Sequence, residues 1–523
     1  MSTITIPSAR SSLQIRPTSS NSLVRSLALN SIEEIPGFFG QIVTPTHPDY
    51  QQALARWAYN AERPARLVVY PRFTTDIFAA ISHAYKHSLP TAVRGGGHSC
   101  AGTSSSTNGL VIDLSRHYAH IRIDPDNRIA FIGGGAVWRD VDKAAIEHGL
   151  AAVGGTVNHT GVGGLTLGGG YGWLTGQYGL ACDNVIAATV ITPGAAVASG
   201  VIHPTSQTVS AVSNPDLFFA IRGGGGNFGV ITEFAMRLHP QRRTVWSGTI
   251  VYGAAVLEQI FEALDLWWAD ASQGRRPGEA VFVFFFRDPH TGKPCIGLRP
   301  FFNGTEQEGK EKFNSFLNIS HLADQTKEIP YELMNAQQNE QAQPGDNVYM
   351  TGTSRSSLPP AAARALFTAF SEISELPYNA SGVLIEYLPL HIVRAVSPET
   401  SAFPGRDKGD NVVFLVTWPR EGTIGNAETA RVHATRLKQV IWDHETEVGG
   451  QIDSSGYANY REFVYMFSSW LEFEACTPDT ETADHDAAAT HFGPLYPRLQ
   501  RVKNLYDPHG LFDKFYPIRP MTA

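Results

Sequence analysis

The 523-residue chain lacks the features that mark several common classes of protein. It has only four, widely separated cysteines: Cys100, Cys182, Cys295 and Cys476. They form no C-x-x-C pair, so they predict no zinc site and do not imply disulfides. No run of about 18 apolar residues could cross a bilayer. The net charge of −8, without a basic patch, argues against a nucleic-acid partner, and the length allows two domains with separate cores.

Acidic residues are missing from the N-terminus, where Glu33 is the first. Residues 1–32 contain three arginines and nine serines, a composition faintly typical of a transit peptide. Polar residues interrupt its apolar stretch, unlike the continuous apolar core of a secretory signal. We therefore expect residues 1–63 to form a tail and a lead-in segment. We also expect a cytoplasmic protein with no membrane partner.

Glycine, by contrast, is abundant, and its first cluster is combined with charged and reactive side chains. The cluster lies between predicted strands at 91–93 and 109–114 and reads Arg94-Gly95-Gly96-Gly97-His98-Ser99. Glycines let successive peptide N–H groups turn toward a bound diphosphate, and Arg94 adds a cationic fork. His98 then stands where the rest of the ligand must lie. The run predicts an anion-binding loop between two strands.

Two other interpretations of this loop are open. The segment Gly97-His98-Ser99-Cys100-Ala101 nearly matches the nucleophile elbow of a serine hydrolase, G-x-S-x-G. That motif needs a helix after the serine, whereas residues 102–109 have the composition of a loop. An isolated glycine-rich turn most often has no function at all. Two further glycine clusters argue against that second interpretation.

The second cluster places eleven glycines between residues 154 and 179. It begins Gly154-Gly155-Thr156-Val157-Asn158-His159-Thr160-Gly161 and continues through Gly164, Gly168 and Gly169. Such a density costs conformational entropy, so it predicts a long, thin ligand that the backbone approaches closely, as a dinucleotide requires. A flexible linker is the alternative, but linkers lack the interleaved Val, Leu, Tyr and Trp residues found here.

The third cluster contains a G-x-G-x-x-G motif at Gly224, Gly226 and Gly229. In a Rossmann fold this motif follows a strand, opens a helix and is followed by an acidic residue at the ribose. Here Val230 to Leu238 alternates like a strand, and no acid occurs near the ribose position. A nicotinamide-dependent dehydrogenase is therefore disfavoured.

Taken in order, these clusters resemble the FAD-linked oxidoreductases with the vanillyl-alcohol-oxidase or PCMH fold, in the branch of 6-hydroxy-nicotine oxidase and berberine bridge enzyme. The resemblance returns near the C-terminus at 491–512 and at Tyr457-Ala458-Asn459-Tyr460-Arg461. It implies an α+β fold with a PCMH-type FAD-binding domain at 64–240. A substrate domain with an antiparallel sheet covered by helices is expected at 241–455, and residues 456–523 are expected to return to the FAD domain.

The resemblance also implies how FAD is held. His98 matches the histidine that bonds to the 8α-methyl group of the flavin, a position that a neutral imidazole nitrogen can attack. Val157 stands where the berberine-bridge branch has a second, cysteinyl bond, so a single attachment is expected. Cys182 is interpreted as structural. The residues expected to bind the cofactor are Arg94, Gly95, Gly96, Gly97, His98, Ser99, Gly155, Thr160, Gly161, Gly164, Gly168, Gly169, Val230 and Asn459.

By the same resemblance, Tyr460 is the catalytic base. A phenol has a reference pKa of about 10, so it needs cations or the flavin nearby to act at neutral pH; core packing is the alternative role. The implied reaction is hydride abstraction beside an alcohol or amine of a small organic substrate, with O2 reoxidising the flavin. A dehydrogenase and a flavin-binding cyclase with a non-redox reaction stay open as alternatives. We expect no metal, and a monomer or homodimer.

The region 241–455 carries no motif that identifies the substrate. Strands are predicted at 249–252, 280–286, 382–387 and 412–418, with helices at 255–269, 360–373 and 427–442. Its many aromatic residues suggest a hydrophobic or aromatic substrate such as an alkaloid-like secondary metabolite, with core packing and a sugar substrate as the alternatives. These residues include Phe282, Phe284, Phe285, Phe286, Tyr387 and Trp418.

Overall fold

The computed structural model describes residues 32–197, 200–421, 425–454, 456–460 and 487–521. The N-terminal tail 1–31, Arg461 and Cys476, which enter the expectations above, lie outside these residues. None of the described helices is both long and apolar enough to cross a membrane. The described residues combine mixed and antiparallel sheets with separate helices, so the α+β class predicted from the sequence is confirmed.

The first half of the described chain extends to Pro240. Its strands are β1 Gln41–Val43, β2 Leu67–Tyr70, β3 Thr91–Arg94, β4 Leu110–Asp113, β5 Ile121–Asp124, β6 Ile129–Gly133, β7 Leu150–Ala151, β8 Val185–Thr192, β9 Thr205–Ser210, β10 Val230–Arg237 and β11 His239–Pro240. Its helices are α1 Tyr50–Leu54, α2 Thr74–Lys86, α3 Trp138–Ile146, α4 Val162–Leu167, α5 Thr175–Tyr178 and α6 Pro215–Ala220, with 3-10 turns at Tyr59–Ala61 and Ala181–Asn184.

Two sheets of this half position the glycine clusters. One has the order β1-β2-β4-β3, with parallel β2/β4 and β3/β4 pairs, and the other is antiparallel with the order β5-β6-β10-β8-β9. The first glycine cluster leaves the sheet at the end of β3, and no helix follows Ser99 before β4, which argues against a nucleophile elbow. The third cluster is followed by β10, as expected from the alternation after Gly229.

The second half is built on one large antiparallel sheet. Its strands are β12 Thr244–Ser247, β13 Ile250–Gly253, β14 Glu279–Arg287, β15 Pro294–Phe302, β16 Ala323–Asp324, β17 Lys327–Pro330, β18 Asn347–Arg355, β19 Gly382–Tyr387 and β20 Asp410–Trp418. The main path is β16-β13-β15-β14-β19-β20-β18, with β12 bridging β15 and β17. The helices are α7 Leu257–Ala271, α8 Glu306–Lys312, α9 Asn314–Leu317, α10 Pro360–Ile373, α11 His391–Ala395 and α12 Gly425–Glu447.

The two faces of this sheet bury different sets of side chains. Because side chains alternate along a strand, Val281, Val283 and Phe285 of β14 pack among the helices α7, α10 and α12. The intervening Phe282 and Phe284 point the other way, into a cluster with residues of the second glycine stretch. The helices thus cover one face, as the sequence predicted, and the other face meets the first half of the molecule.

The predicted helices and strands of this half are confirmed, with small shifts at their ends. Helix α10 has the predicted bounds, since Pro360 at its first position presets the helical φ. Helix α7 begins at Leu257, because a 3-10 turn occupies Ala254–Val256. Helix α12 continues past the predicted Trp442 to Glu447, where the chain turns at Gly449 with φ +70°.

The C-terminal helix α13, Tyr496–Tyr506, is joined to the third glycine cluster by one buried cation. Lys503 is fully buried and donates to Asp507 Oδ2 at 2.7 Å, to Asn227 O at 2.6 Å and to Phe512 O at 2.7 Å. Three acceptors satisfy the three ammonium donors, which offsets the cost of burying the charge. The described part of the C-terminal segment therefore packs against the first half of the molecule. The last 3-10 turns are Tyr331–Ala336, Ala458–Tyr460 and Gly493–Leu495.

Replacing Lys503 with Met tests this connection. K503M leaves the buried Asp507 carboxylate without its cation, so we expect a loss of about 3–5 kcal/mol in the free energy of unfolding, measured by denaturant titration. The control is K310M, which breaks a solvent-exposed lysine–carboxylate pair of the same i, i+4 spacing and is expected to change little. Similar stability of both variants would contradict a structural role for Lys503.

Candidate functional site

The first and second glycine clusters touch through their backbones. A Cβ on Gly96 would lie 2.5 Å from the amide nitrogen of Gly161, and a Cβ on Gly161 would lie 2.3 Å from that of Gly96. No side chain fits at either position. Gly97 adds a left-handed turn, with φ +70°. The contact therefore requires glycine on both loops and leaves backbone amides, with no side chains, at the crossing.

A third loop, at Gly134, packs against both of the loops that meet at this crossing. The carbonyl oxygen of Gly134, just after β6, lies 2.8 Å from a Cβ built on Gly95 and 2.7 Å from one built on Gly163. Gly134 itself packs on the backbone of Ile231, one residue after Val230. Val230, at the start of β10, is fully buried and packs in a core cluster of the first half. Gly134 was not identified from the sequence, although the glycine triplet at 133–135 was a visible signal.

Arg94 and Ser99 lie at opposite ends of the first cluster. Arg94 Nη1 donates to Asp113 Oδ2 at 2.7 Å, and this carboxylate is fully buried. The guanidinium is therefore anchored at the edge of the loop. The carbonyl oxygen of Ser99 accepts a hydrogen bond from Gly102 N at 3.2 Å, which closes a turn directly after His98. Both residues shape the loop on which the histidine stands.

The remaining residues of the second cluster surround helix α4. Gly155 packs against the Leu165 side chain, and the Thr160 carbonyl accepts from Trp138 N at 3.1 Å. Gly164 is different, because a Cβ there would meet no protein atom within 4 Å. Its surface in the first turn of α4 is open to a ligand. Gly155 is therefore needed for packing against the helix, whereas Gly164 faces open space.

Asn459 closes the end of the same stretch. Its side-chain oxygen would lie 2.2 Å from a Cβ on Gly168, and its amide donates to the carbonyl of Leu165 at 3.2 Å and to the Tyr457 hydroxyl at 2.6 Å. The Tyr457 hydroxyl also accepts from Gly170 N at 2.8 Å. Gly169, with φ +119°, lies between these contacts. The Tyr-x-Asn-Tyr segment is therefore brought onto the second glycine cluster.

His98 lies in an aromatic environment with one nitrogen unengaged. Its ring stacks on Trp57, with centroids 4.5 Å apart, and the ring of His159 lies 5.1 Å away. His98 Nε2 is buried with no hydrogen-bond partner among the described residues. Burial and then the neighbouring His159 lower the pKa of His98 to about 3, so the imidazole is neutral at neutral pH.

Val157 is the residue that the resemblance matches to the second, cysteinyl flavin bond of the berberine-bridge branch. Val157 packs with Trp57 and Ala342 in a small apolar cluster beside His98. Cys182 is fully buried elsewhere, and burial raises the pKa of its thiol, which keeps it protonated and unreactive. Among the described residues, no group of three or more His, Cys, Asp or Glu side chains is arranged to hold a metal ion.

Tyr460 is hydrogen-bonded to a glutamate on the large sheet. Its hydroxyl donates to Glu386 Oε1 at 2.8 Å, and the Asn411 amide donates to Glu386 Oε2 at 2.9 Å. Burial raises the pKa of Glu386 to about 7, although both hydrogen bonds oppose that shift. Burial and the adjacent carboxylate raise the pKa of Tyr460, so the phenol stays protonated. A phenolate base needs neighbours that lower its pKa, whereas burial and Glu386 raise the pKa of Tyr460.

Neither Glu386 nor Asn411 was identified from the sequence. Glu386 is the single charged residue of β19, Asn411 follows Asp410 at the start of β20, and neither belongs to a motif. The signal that could have found Glu386 is a charged residue inside a strand whose other side chains are apolar, because such charges are rarely buried without a role or a partner. Its proximity to Tyr460 required the tertiary structure.

An apolar surface borders this carboxylate–phenol pair. On the sheet face that carries Glu386, half-buried apolar side chains come from four strands, β14, β18, β19 and β20. Partly exposed apolar side chains beside a few polar groups are typical of a small-molecule pocket. We define this surface as the apolar floor, and its residues are Phe284, Phe286, Met350, Leu384 and Leu415.

Comparison with known proteins agrees with this geometry. A family profile described as FAD binding domain matches residues 64–199. The FAD-linked oxidoreductase pgmH of Aspergillus terreus is 30% identical over 491 residues, which cover 90% of this chain and 92% of that protein. The chain belongs to the FAD-linked oxidoreductases. The family resemblance predicted from the sequence is confirmed.

Solved structures place this FAD-linked oxidoreductase in the PCMH and berberine-bridge fold. The 6-hydroxy-D-nicotine oxidase from Arthrobacter nicotinovorans has a TM-score of 0.76 at 24% identity, covering 93% of this chain and 99% of that one. A variant of berberine bridge enzyme, in complex with (S)-reticuline, has a TM-score of 0.72 at 20% identity, covering 96% and 99%. The predicted fold, with its PCMH-type part and helix-covered sheet, is confirmed.

The residues at the glycine crossing fit FAD. A dinucleotide needs backbone amides that it can approach without meeting a Cβ, and the contact between Gly96 and Gly161 provides such a surface. The buried Nε2 of His98 has no hydrogen-bond partner among the described residues, which leaves this nitrogen available to a bound group. Gly164 offers open space beside them. These observations support the cofactor-binding residues predicted above, which stay predictions residue by residue.

The variant G161A tests the crossing. Its methyl group would lie 2.3 Å from Gly96 N and would force the two loops apart, so we expect most of the bound flavin to be lost. The measurement is the ratio of visible flavin absorbance to protein absorbance after gel filtration. G253A is the control, since a Cβ there meets no atom within 4 Å and its flavin content should be unchanged. Equal flavin content in the two variants would contradict the importance of the crossing.

Proposed function

We propose that this FAD-linked oxidoreductase is an oxidase that abstracts hydride from a C–H group beside an alcohol or amine of a small, largely apolar organic substrate. The observation that carries the proposal is the Tyr460–Glu386 pair. It joins the sheet face of the apolar floor to the segment whose Asn459 contacts the second glycine cluster. The choice of an oxidase, with O2 as electron acceptor, is supported by the similarity to an enzyme whose name is 6-hydroxy-D-nicotine oxidase.

Tyr460 and Glu386 act together as the base: the phenol accepts the substrate proton and the carboxylate accepts the phenol proton. A substrate hydroxyl or amine loses a proton as hydride leaves its carbon, and the Tyr460 oxygen would accept that proton. Since Tyr460 is itself protonated, it must pass its own proton to Glu386 Oε1, 2.8 Å away, at the same time. The pKa of Glu386, raised to about 7 by burial, suits a proton acceptor near neutral pH. Asn411 holds the other carboxylate oxygen, which fixes the orientation of Glu386.

The first glycine cluster holds the cofactor. FAD, when bound, supplies the hydride acceptor that no amino-acid side chain can provide. His98 presents a neutral imidazole with an unengaged Nε2, which is the form able to bond to an electrophilic carbon, and Trp57 fixes the plane of its ring. We propose a single covalent attachment at His98, because Val157 carries no thiol. The covalent bond would keep the flavin in place through every turnover.

The variant E386Q tests the proton path. Without a carboxylate to receive the proton, we expect the rate of flavin reduction to fall by about 10²–10⁴-fold, measured by stopped-flow absorbance without oxygen. In the wild type the rate should decline as pH falls below about 7, where Glu386 becomes protonated, and this decline should be absent in E386Q.

The variant Y460F serves as the companion to E386Q. It removes the relay and keeps the carboxylate, so a slower reaction that still declines at low pH is expected. If both variants reduced the flavin at the rate of the wild type, the proposed base would be contradicted. Substrate turnover with no bleaching of the flavin in the absence of air would instead indicate the non-redox cyclase.

The variant H98A tests the attachment. Acid precipitation of the wild type should leave flavin fluorescence with the polypeptide on a denaturing gel, whereas H98A should release its flavin into the supernatant. H148A, which removes an exposed histidine, should retain the covalent flavin. Flavin released from the wild type, or retained in H98A, would show that the histidyl bond is wrong.

A further inference from the structure

Arg299 is a buried cation on the sheet face that carries the proposed base. It lies on β15, opposite Phe282 of β14, which in turn lies opposite Glu386 of β19. Its guanidinium carbon is 4.9 Å from the ring centroid of Phe284, one of the residues of the apolar floor. Side chains on this row point away from the covering helices. Arg299 therefore lies on the same sheet face as Glu386, beside the apolar floor, and is not part of the helix-side core.

The charge of Arg299 has almost no compensation. The side chain is 3% exposed, and its Nε and Nη2 atoms share a single acceptor, Thr249 Oγ1, at 3.2 and 2.8 Å. Nη1 is buried with no hydrogen-bond partner among the described residues, and it lies on the side of the guanidinium away from Thr249. Burial lowers the pKa of Arg299 to about 10, which still leaves it charged at neutral pH.

Each of the other buried arginines of the described residues has a carboxylate or several backbone carbonyl groups beside it. Arg56 donates to four backbone carbonyl groups and a serine hydroxyl. Arg406 forms an ion pair with Asp183 at 2.6 Å. Arg355 lies 3.9 Å from the Asp410 carboxylate, which offsets its charge, although its Nε and Nη2 atoms have no hydrogen-bond partner among the described residues. Within the described residues, no carboxylate lies within 4 Å of Arg299, and the exposed Glu340 acts on it only from a distance. A buried charge without such partners costs several kcal/mol.

We propose that Arg299 recognises a carboxylate of the substrate, so that the enzyme acts on molecules with an apolar body and a carboxylate end. The carboxylate would accept hydrogen bonds from Nη1, and the apolar body would lie on Phe284 and Leu384. This inference rests on the proposed function, because it uses the same pocket. The bound carboxylate would supply the hydrogen-bond acceptor that Nη1 lacks among the described residues.

The register of the sheet sets the distance between the two ends of such a substrate. Arg299 and Glu386 stand in one row, two strands apart, which corresponds to a backbone separation of about 10 Å. The carboxylate recognised by Arg299 is therefore remote from the carbon that is oxidised. It would orient the substrate along the row and take no part in hydride transfer.

Calorimetric titration of the purified, flavin-containing protein with 3-phenylpropionate and with 3-phenylpropionamide tests the proposal. These probes share an apolar body and differ in charge. We expect the carboxylate to bind the wild type roughly tenfold or more tightly than the amide, and R299M to lose that preference while binding the amide within about twofold of the wild type. R299K should keep part of the preference, because it retains the charge without the planar fork. R275M, a change at an exposed arginine, should behave as the wild type.

Thermal unfolding of the same variants separates recognition from a structural role. Since R299M removes an uncompensated buried charge and keeps a long apolar side chain, its melting temperature should be unchanged or higher. A wild type that does not prefer the carboxylate, or an R299M variant that keeps the preference, would overturn the proposal. Failure of the proposed oxidation would leave this test intact, because it measures binding and needs no turnover.

Discussion

The contact between the backbones of Gly96 and Gly161 is the constraint on which the cofactor site depends. Two loops can approach so closely only where neither carries a Cβ, and Gly134 extends the same requirement to a third loop. Because three chain segments meet without side chains, their amide groups stay available to a ligand and their relative positions are fixed. The placement of His98, at the edge of this crossing, follows from the turn at Gly97.

The two faces of the large sheet have different roles: one packs the apolar core, and the other carries the proposed catalytic and binding groups. The helix side is packed with apolar residues in the cluster around Val283 and Phe285. The opposite side carries Glu386, Asn411 and Arg299, polar groups that are buried beside aromatic rings. In such a medium, charges and hydrogen bonds are stronger than in water, and each unpaired group is costly. Along β14, alternate side chains enter the apolar core under the helices and the polar, aromatic face opposite it.

Much of the architecture could be predicted because it depends on local patterns. The bounds of α10 follow from a helical apolar period and Pro360, and the strand after Gly229 follows from simple alternation. The end of α12 was less predictable, since apolar spacing weakens before Gly449 stops the helix. At the site, the glycine clusters and Tyr460 were visible as motifs. Glu386 was not, because one acidic residue in a short apolar strand has no neighbour in sequence that explains it.

The sequence by itself determined the fold class, the family, the glycine loops and the histidine that follows the first of them, because these depend on local backbone freedom and on ordered motifs. The tertiary structure alone decided which side chains face one another. It paired Tyr460 with a glutamate 74 positions away, and it left Arg299 in the same row with no carboxylate partner in the described part of the chain. Strand register and burial produce these relations, and neither can be read from a single segment, since both depend on how distant strands align.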